Sequence, residues 1–174
     1  MNKFNQEGYR DPTPQRALEH VLKEIHEPIH LVIKGEPRAQ GRPRFARHGA
    51  YVSTYDPKKS KEYKTRIFNE VWLQLTQRKI KRFEDSQPLH VTVAVYLGVP
   101  KSWPKWKKEA ALNGKICPTS KPDMDNYIKI AMDGLNKVLF NDDSYVVSIR
   151  AEKHYSDNPR MEITISQLTL EDVD

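Results

Sequence analysis

Leu89-His90-Val91-Thr92-Val93-Ala94-Val95-Tyr96-Leu97-Gly98-Val99 places an apolar residue at every second position. That period belongs to a strand with one buried face. Pro100-Lys101-Ser102-Trp103-Pro104 closes it. Shorter stretches repeat the period on either side. Ile29, Leu31 and Ile33 form one. Tyr145, Val147, Ile149 and Ala151 form another, and Met161, Ile163 and Ile165 a third. Ser156-Asp157-Asn158-Pro159 reads as a turn between the last two.

Helical spacing fills the gaps. Tyr63, Ile67, Phe68, Val71, Trp72 and Leu75 form an apolar stripe. Asp56 and Pro57 suit the start of that helix, which runs to about Gln77. Ile128, Ala131, Met132, Leu135, Val138 and Leu139 define a helix over residues 123–139. Residues 45–55, broken by His48-Gly49, read as a hairpin, with Phe45 assigned to the core. A short helix is expected over residues 14–25. The order is strand, hairpin, helix, strand, helix, then two strands. It predicts an α+β fold, a mixed β-sheet flanked by helices. Residues 29–174 form the single domain and residues 1–28 an N-terminal arm.

Composition removes several classes. The 174 residues carry one cysteine, Cys117, so neither an internal disulfide nor a cysteine-rich zinc site is possible. A cytoplasmic location is the default. No apolar run approaches the roughly 20 residues of a membrane helix, and residues 1–7 do not resemble a signal peptide. No Gly-rich phosphate loop is present.

The net charge of +6 is unevenly spread. Residues 34–66 hold ten Lys/Arg against three acids, a net +7. Residues 122–174 hold eleven acids against five bases, a net −6. One part is suited to hold an anion and another to hold cations, unless both are solvated faces.

The acids have a pattern. Pro122 disfavours helix at Lys121, so Asp123 and Asp125 fall in the first turn, where free amides favour carboxylates. Capping explains one of them; a second invites a cation. Asp125, Lys129, Asp133 and Asn136 lie along one flank, and Lys129 is one turn beyond Asp125. The pair is either an ordinary surface ion pair or a metal-binding carboxylate beside a phosphate-binding ammonium. Asp142-Asp143 follows the helix, where its dipole disfavours negative charge. If the helix packs beside the last strands, the two acid pairs can converge. An oxygen-only site suits Mg²⁺ completed by water. An EF-hand is excluded, because Ile128 stands where the loop glycine belongs.

Lys121-Pro122-Asp123-x-Asp125-Asn126-x-x-Lys129-x-x-x-Asp133-x-Leu135-Asn136, followed by Asp142-Asp143, resembles the RusA family of Holliday junction resolvases. Gly35-x-Pro37-x-x-x-Gly41-Arg42-Pro43-Arg44 and Pro100-Lys101-Ser102-Trp103 are similar to two further segments of that family. The resemblance spans about residues 29–167. It implies a Mg²⁺-dependent endonuclease, often of phage or prophage origin. Such an enzyme acts as a homodimer on four-way or other branched DNA, in recombination and repair. By motif position, Asp123, Asp125 and Asp143 would be the essential metal-binding acids, Asp142 their support and Lys129 the functional lysine. Tyr145 replaces a frequent Gln, and Lys137 stands where Gly often follows Leu-Asn.

Phosphodiester hydrolysis fits these residue types. Acid-bound Mg²⁺ activates water, and a lysine offsets developing charge. Arg38, Arg42, Arg44, Lys58 and Lys59 are the expected DNA-phosphate contacts. Two rival readings remain at this level. One is a noncatalytic DNA-junction-binding module. The other is a Mg²⁺-dependent nucleotide-processing enzyme, which leaves the +7 segment unexplained.

Overall fold

The computed structural model describes residues 27–84 and 87–168. The helix expected over residues 14–25 lies outside them. Six strands are described: β1 (Ile29–Lys34), β2 (Arg44–His48), β3 (Tyr51–Tyr55), β4 (Leu89–Gly98), β5 (Val146–Ser156) and β6 (Arg160–Gln167). The helices among the described residues are α1 (Lys58–Arg78), α2 (Lys105–Leu112) and α3 (Met124–Leu135). A 3₁₀ turn, Asp143–Tyr145, leads into β5. The α+β reading stands. The main sheet has order β1-β6-β4-β5, with β4 and β5 parallel and the other pairs antiparallel.

Period-2 patterning puts one face of β1, β6 and β4 into the core. Leu31, Ile33, Leu89, Val91, Val93, Val95, Met161, Ile163 and Ile165 are fully buried. They meet Tyr63, Ile67, Val71 and Leu75 of α1, and Tyr127, Ile130, Ala131 and Leu135 of α3. The opposite face carries Thr92, Tyr96, Glu162 and Thr164, all partly exposed. A one-sided sheet of this kind explains the alternation.

Three expectations need correction. Phe68 and Trp72 are exposed, not part of the stripe. Tyr63, Ile67, Val71 and Leu75 already form a line at four-residue spacing, and each neighbour one position on is turned about 100° away from it. Val147 and Ile149 are also exposed, on β5 at the edge of the sheet. The helix over residues 123–139 ends at Leu135. Val138 and Leu139 remain buried, but in the turn that follows.

Lys137 makes that turn. Its φ is +69°, and its N–H donates to the Phe140 carbonyl at 2.8 Å. This left-handed conformation is one that glycine adopts without the steric cost a side chain incurs. Lys137→Gly is therefore expected to raise unfolding free energy by about 1 kcal/mol. Urea unfolding checks it, and a loss of stability would show that the Lys137 side chain contributes more than its backbone strain costs.

β5 and β6 are consecutive but not neighbours, because β4 lies between them. Their short link crosses the end of β4 at Gly98. A Cβ there would meet Glu36 Oε2 at 3.1 Å and Pro159 Cγ at 3.4 Å.

Candidate nuclease site

The loop after β1 is stitched to both helices. The Gln40 N–H donates to the Asn126 carbonyl at 2.9 Å, in the first turn of α3. Gln40 Nε2 donates to Asp56 Oδ1 at 2.8 Å, and the Gly41 N–H donates to Ser60 Oγ at 2.9 Å. Gly41 is needed for this approach, since a Cβ would stand 3.0 Å from Pro57 Cγ. The basic loop, the start of α1 and the start of α3 therefore share one end of the sheet.

Asp56 does not cap α1 as expected. Pro57 takes the cap position, and no side chain caps the helix. Asp56 instead faces Lys64, whose Nζ donates to Asp56 Oδ2 at 2.6 Å and to Asp133 Oδ2 at 2.8 Å. Lys64 thus joins α1 to α3. The Lys64 hydrogen bond, helped by Gln40 and by the charge of Lys129, lowers the Asp56 pKa below its usual value. Burial disfavours the Lys64 ammonium, but the two carboxylates outweigh it and hold its pKa above the usual lysine value. Because the folded-state pKa of Asp56 is depressed, its stabilisation is complete above the unfolded value near 3.8. It is lost as pH falls through the folded value. Asp56→Asn is expected to flatten this acid limb of stability, read by thermal melting from pH 7 down to pH 2. An unchanged limb would remove Asp56 from the network's energetics. Sequence spacing gave no signal for Gln40, Asp56, Lys64 or Asp133 as a group.

Asp123 occupies the N-cap position of α3, and its side chain makes no capping hydrogen bond. Asp125 lies in the first turn, exposed, with its Oδ1 accepting from Asn126 Nδ2 at 3.2 Å. Lys129 is exposed and forms no ion pair with Asp125; its charge acts on Asp56. Lys153 of β5 steadies the approach to this turn. Its Nζ donates to the Ser120 and Pro122 carbonyls, each at 3.2 Å.

Asp142 and Asp143 stand elsewhere. Asp142 Oδ1 accepts from the Ser144 N–H at 2.9 Å and caps the 3₁₀ turn; the Ser144 hydroxyl, together with this N–H, lowers its pKa. This turn feeds the start of β5, where Val146 pairs with Leu89. Lys153, beside Pro122, pairs with Val95. Seven residues of strand at about 3.3 Å each separate these ends by roughly 20 Å. Within one chain the two acid pairs do not converge. Among the described residues no three carboxylate, His or Cys groups form a ready metal cluster. The reason is topological: α3 runs antiparallel to β5 and carries the chain from one end of the sheet to the other. Asp123 and Asp125 alone still offer two hard oxygen donors, a set that fits Mg²⁺ completed by water and phosphate oxygens.

The basic residues gather at the Asp123–Asp125 end. Arg38, Arg42, Arg44, Lys58 and Lys59 are all exposed. Arg38 and Lys59 line a cleft of about 380 Å³ with Glu36, Glu62, Tyr63 and Arg66. Arg66 was not singled out from sequence. Its guanidinium bonds the Lys34 carbonyl and turns a third cation toward this cleft.

The sequence is similar to known proteins. The chain is 40% identical over 143 residues to "Uncharacterized protein YqaN" of Bacillus subtilis (strain 168), covering 81% of this chain and 97% of that one. It is 32% identical over 99 residues to "Crossover junction endodeoxyribonuclease rusA" of Lactococcus phage r1t, covering 55% of this chain and 67% of that one. The profile described as "Endodeoxyribonuclease RusA" matches residues 34–166, which include the basic loop, both acid pairs and strands β2 to β5. The chain belongs to the RusA family of endodeoxyribonucleases.

Proposed function

We propose that the protein is a Mg²⁺-dependent, structure-specific endodeoxyribonuclease that resolves four-way (Holliday) junctions by paired cuts, in recombination and repair. The observation that carries this reading is the meeting of Asp123, Asp125 and Lys129 with a cluster of exposed Arg and Lys at one end of the sheet. Asp123 and Asp125 hold the ion. Bound Mg²⁺ supplies an activated water and charge neutralisation at the phosphate. Lys129, one turn along α3, stabilises negative charge developing there. Arg38, Arg42, Arg44, Lys58 and Lys59 hold neighbouring phosphates and set the path of the strand.

Asp142 and Asp143 join the site from a second copy. β5 is an edge strand, and the two acid pairs lie near its opposite ends. Two-fold pairing along β5 runs the strands antiparallel. It sets the partner's Asp142 and the partner's Asp143 beside Asp123 and Asp125, and it covers the exposed Val147 and Ile149. The homodimer then carries two sites, as paired cutting requires.

The direct test is a labelled synthetic four-way junction with Mg²⁺ and a matched linear duplex. Paired nicks on the junction alone support resolution. Tight binding without cutting under any divalent metal would refute it. Loss of binding with added salt separates a DNA ligand from a small nucleotide, because many phosphate contacts release many counterions. Mixing Asp125→Asn with Asp143→Asn tests the shared site. Each variant alone is expected to be inactive, and exchanged dimers regain one complete site. Nicking should recover to roughly a quarter of the wild-type rate. No recovery, despite confirmed exchange of subunits, would place each site within one chain.

A further inference from the structure

The hairpin of β2 and β3 forms its own two-stranded sheet, apart from the main one. Phe45, expected in the core, is 72% exposed, and Tyr51 is 70% exposed. Val52 and Tyr55 are exposed as well. Residues directly opposite in an antiparallel pair share a face. Phe45 therefore lies with Thr54, Arg47 and Val52 on one face. Arg44, Tyr55 and Tyr51 lie on the other. Each face carries at least one arginine and at least one aromatic ring. An isolated hairpin of this length is marginal in water, and rings left in solvent gain no burial from it.

The charge around the ribbon names its partner. Residues 37–55 contain Arg38, Arg42, Arg44 and Arg47 and no acid. A polyanion satisfies the arginines. Flat rings gain from it only where base faces are free, since every base presents a π-face once unstacked. An intact duplex hides those faces, whereas a branch point frees them. The ribbon leaves the main layer beside Gln40 and Gly41, the residues that fix the loop to α3 and α1. It therefore extends from the end that carries Asp123 and Asp125.

We propose that the β2–β3 hairpin is a branch-point probe. Phe45 on one face, and Tyr51 with Tyr55 on the other, stack on unpaired bases at the centre of branched DNA, while Arg44 and Arg47 hold the flanking phosphates. The proposal rests on the branched-DNA reading above and adds the element that distinguishes a branch from a duplex.

The test uses the full chain in EDTA, so that no strand is cut. Its probe is a synthetic four-way junction with 2-aminopurine at a branch-point pair, beside a linear duplex of matching sequence. The wild type should raise 2-aminopurine fluorescence on binding. Phe45→Ala should abolish the rise and weaken junction binding by roughly 5- to 100-fold, the range that aromatic–base stacking supplies. Duplex affinity should change by less than about twofold, because the phosphate contacts are intact. Phe45→Trp should retain both signals, and thermal melting checks that each variant is folded. Wild-type behaviour of both Phe45→Ala and Tyr51→Ala would overturn the proposal and leave the nuclease reading standing. Conversion of a dimer to a monomer by either variant, seen in sedimentation, would overturn it in favour of a second copy as the hairpin's partner. A wild-type protein that neither prefers nor cuts the junction would sink the branched-DNA reading itself.

Discussion

Asp125→Asn is expected to slow junction cutting by at least about 10³-fold, some 4 kcal/mol of transition-state stabilisation, while junction binding persists. The two side chains are nearly isosteric. Asp125 is exposed, and among the described residues its side-chain hydrogen bond is to its neighbour Asn126, so the fold loses almost nothing. The ion loses an anionic ligand, for which a neutral amide oxygen is a poor substitute. Removing a negative charge beside a DNA phosphate does not weaken association and can strengthen it at low salt. A gel-shift titration and a single-turnover nicking assay on the same junction separate the two effects. Cutting at the wild-type rate would remove Asp125 from the chemistry. Joint loss of cutting and binding would instead make it a folding or docking residue.

The largest effect on stability is expected at Gly134. α1 and α3 cross there so closely that a Cβ on residue 134 would lie 2.6 Å from Ile67 Cγ2 and 2.7 Å from Ile67 Cβ. Ile67 is fully buried. Replacing a helical glycine by alanine gains about 1 kcal/mol of helix propensity. Overpacking a filled core costs about 1–3 kcal/mol and occasionally more. Both clashing atoms belong to the base of a β-branched side chain, so the backbones themselves must separate and the clash outweighs the propensity. Gly134→Val is expected to lose about 3 kcal/mol or more, lowering Tm by roughly 6–12 °C for a chain of this size. Gly134→Ala should lose less, but still lose. Urea unfolding with m-values measures both. A Gly134→Ala protein more stable than the wild type would show that the helix pair moves apart at little cost.

Much of this protein was legible in one dimension because its core obeys short periods. Alternation in β4 and four-residue spacing in α1 each follow from local geometry, so the elements and the sheet's buried face could be read directly. The acid motif was legible for a similar reason. Asp123 and Asp125 lie within one helical turn, and Pro122 marks where that turn starts. Partners distant in the chain were not legible. Nothing local sets β4 between β5 and β6, or turns Val147 and Ile149 outward on an uncovered edge. Lys64 meets Asp133 only because α1 and α3 cross. Phe45 reads as core by its apolarity, yet its hairpin projects beyond the layer that could have buried it. The separation of Asp143 from Asp125 was decided by helix direction. Sequence determined which groups can carry the chemistry, since composition and local spacing fix charge and ligand type. Only the tertiary structure decided which of them one chain brings together, because that depends on the packing of helices against strands distant in sequence.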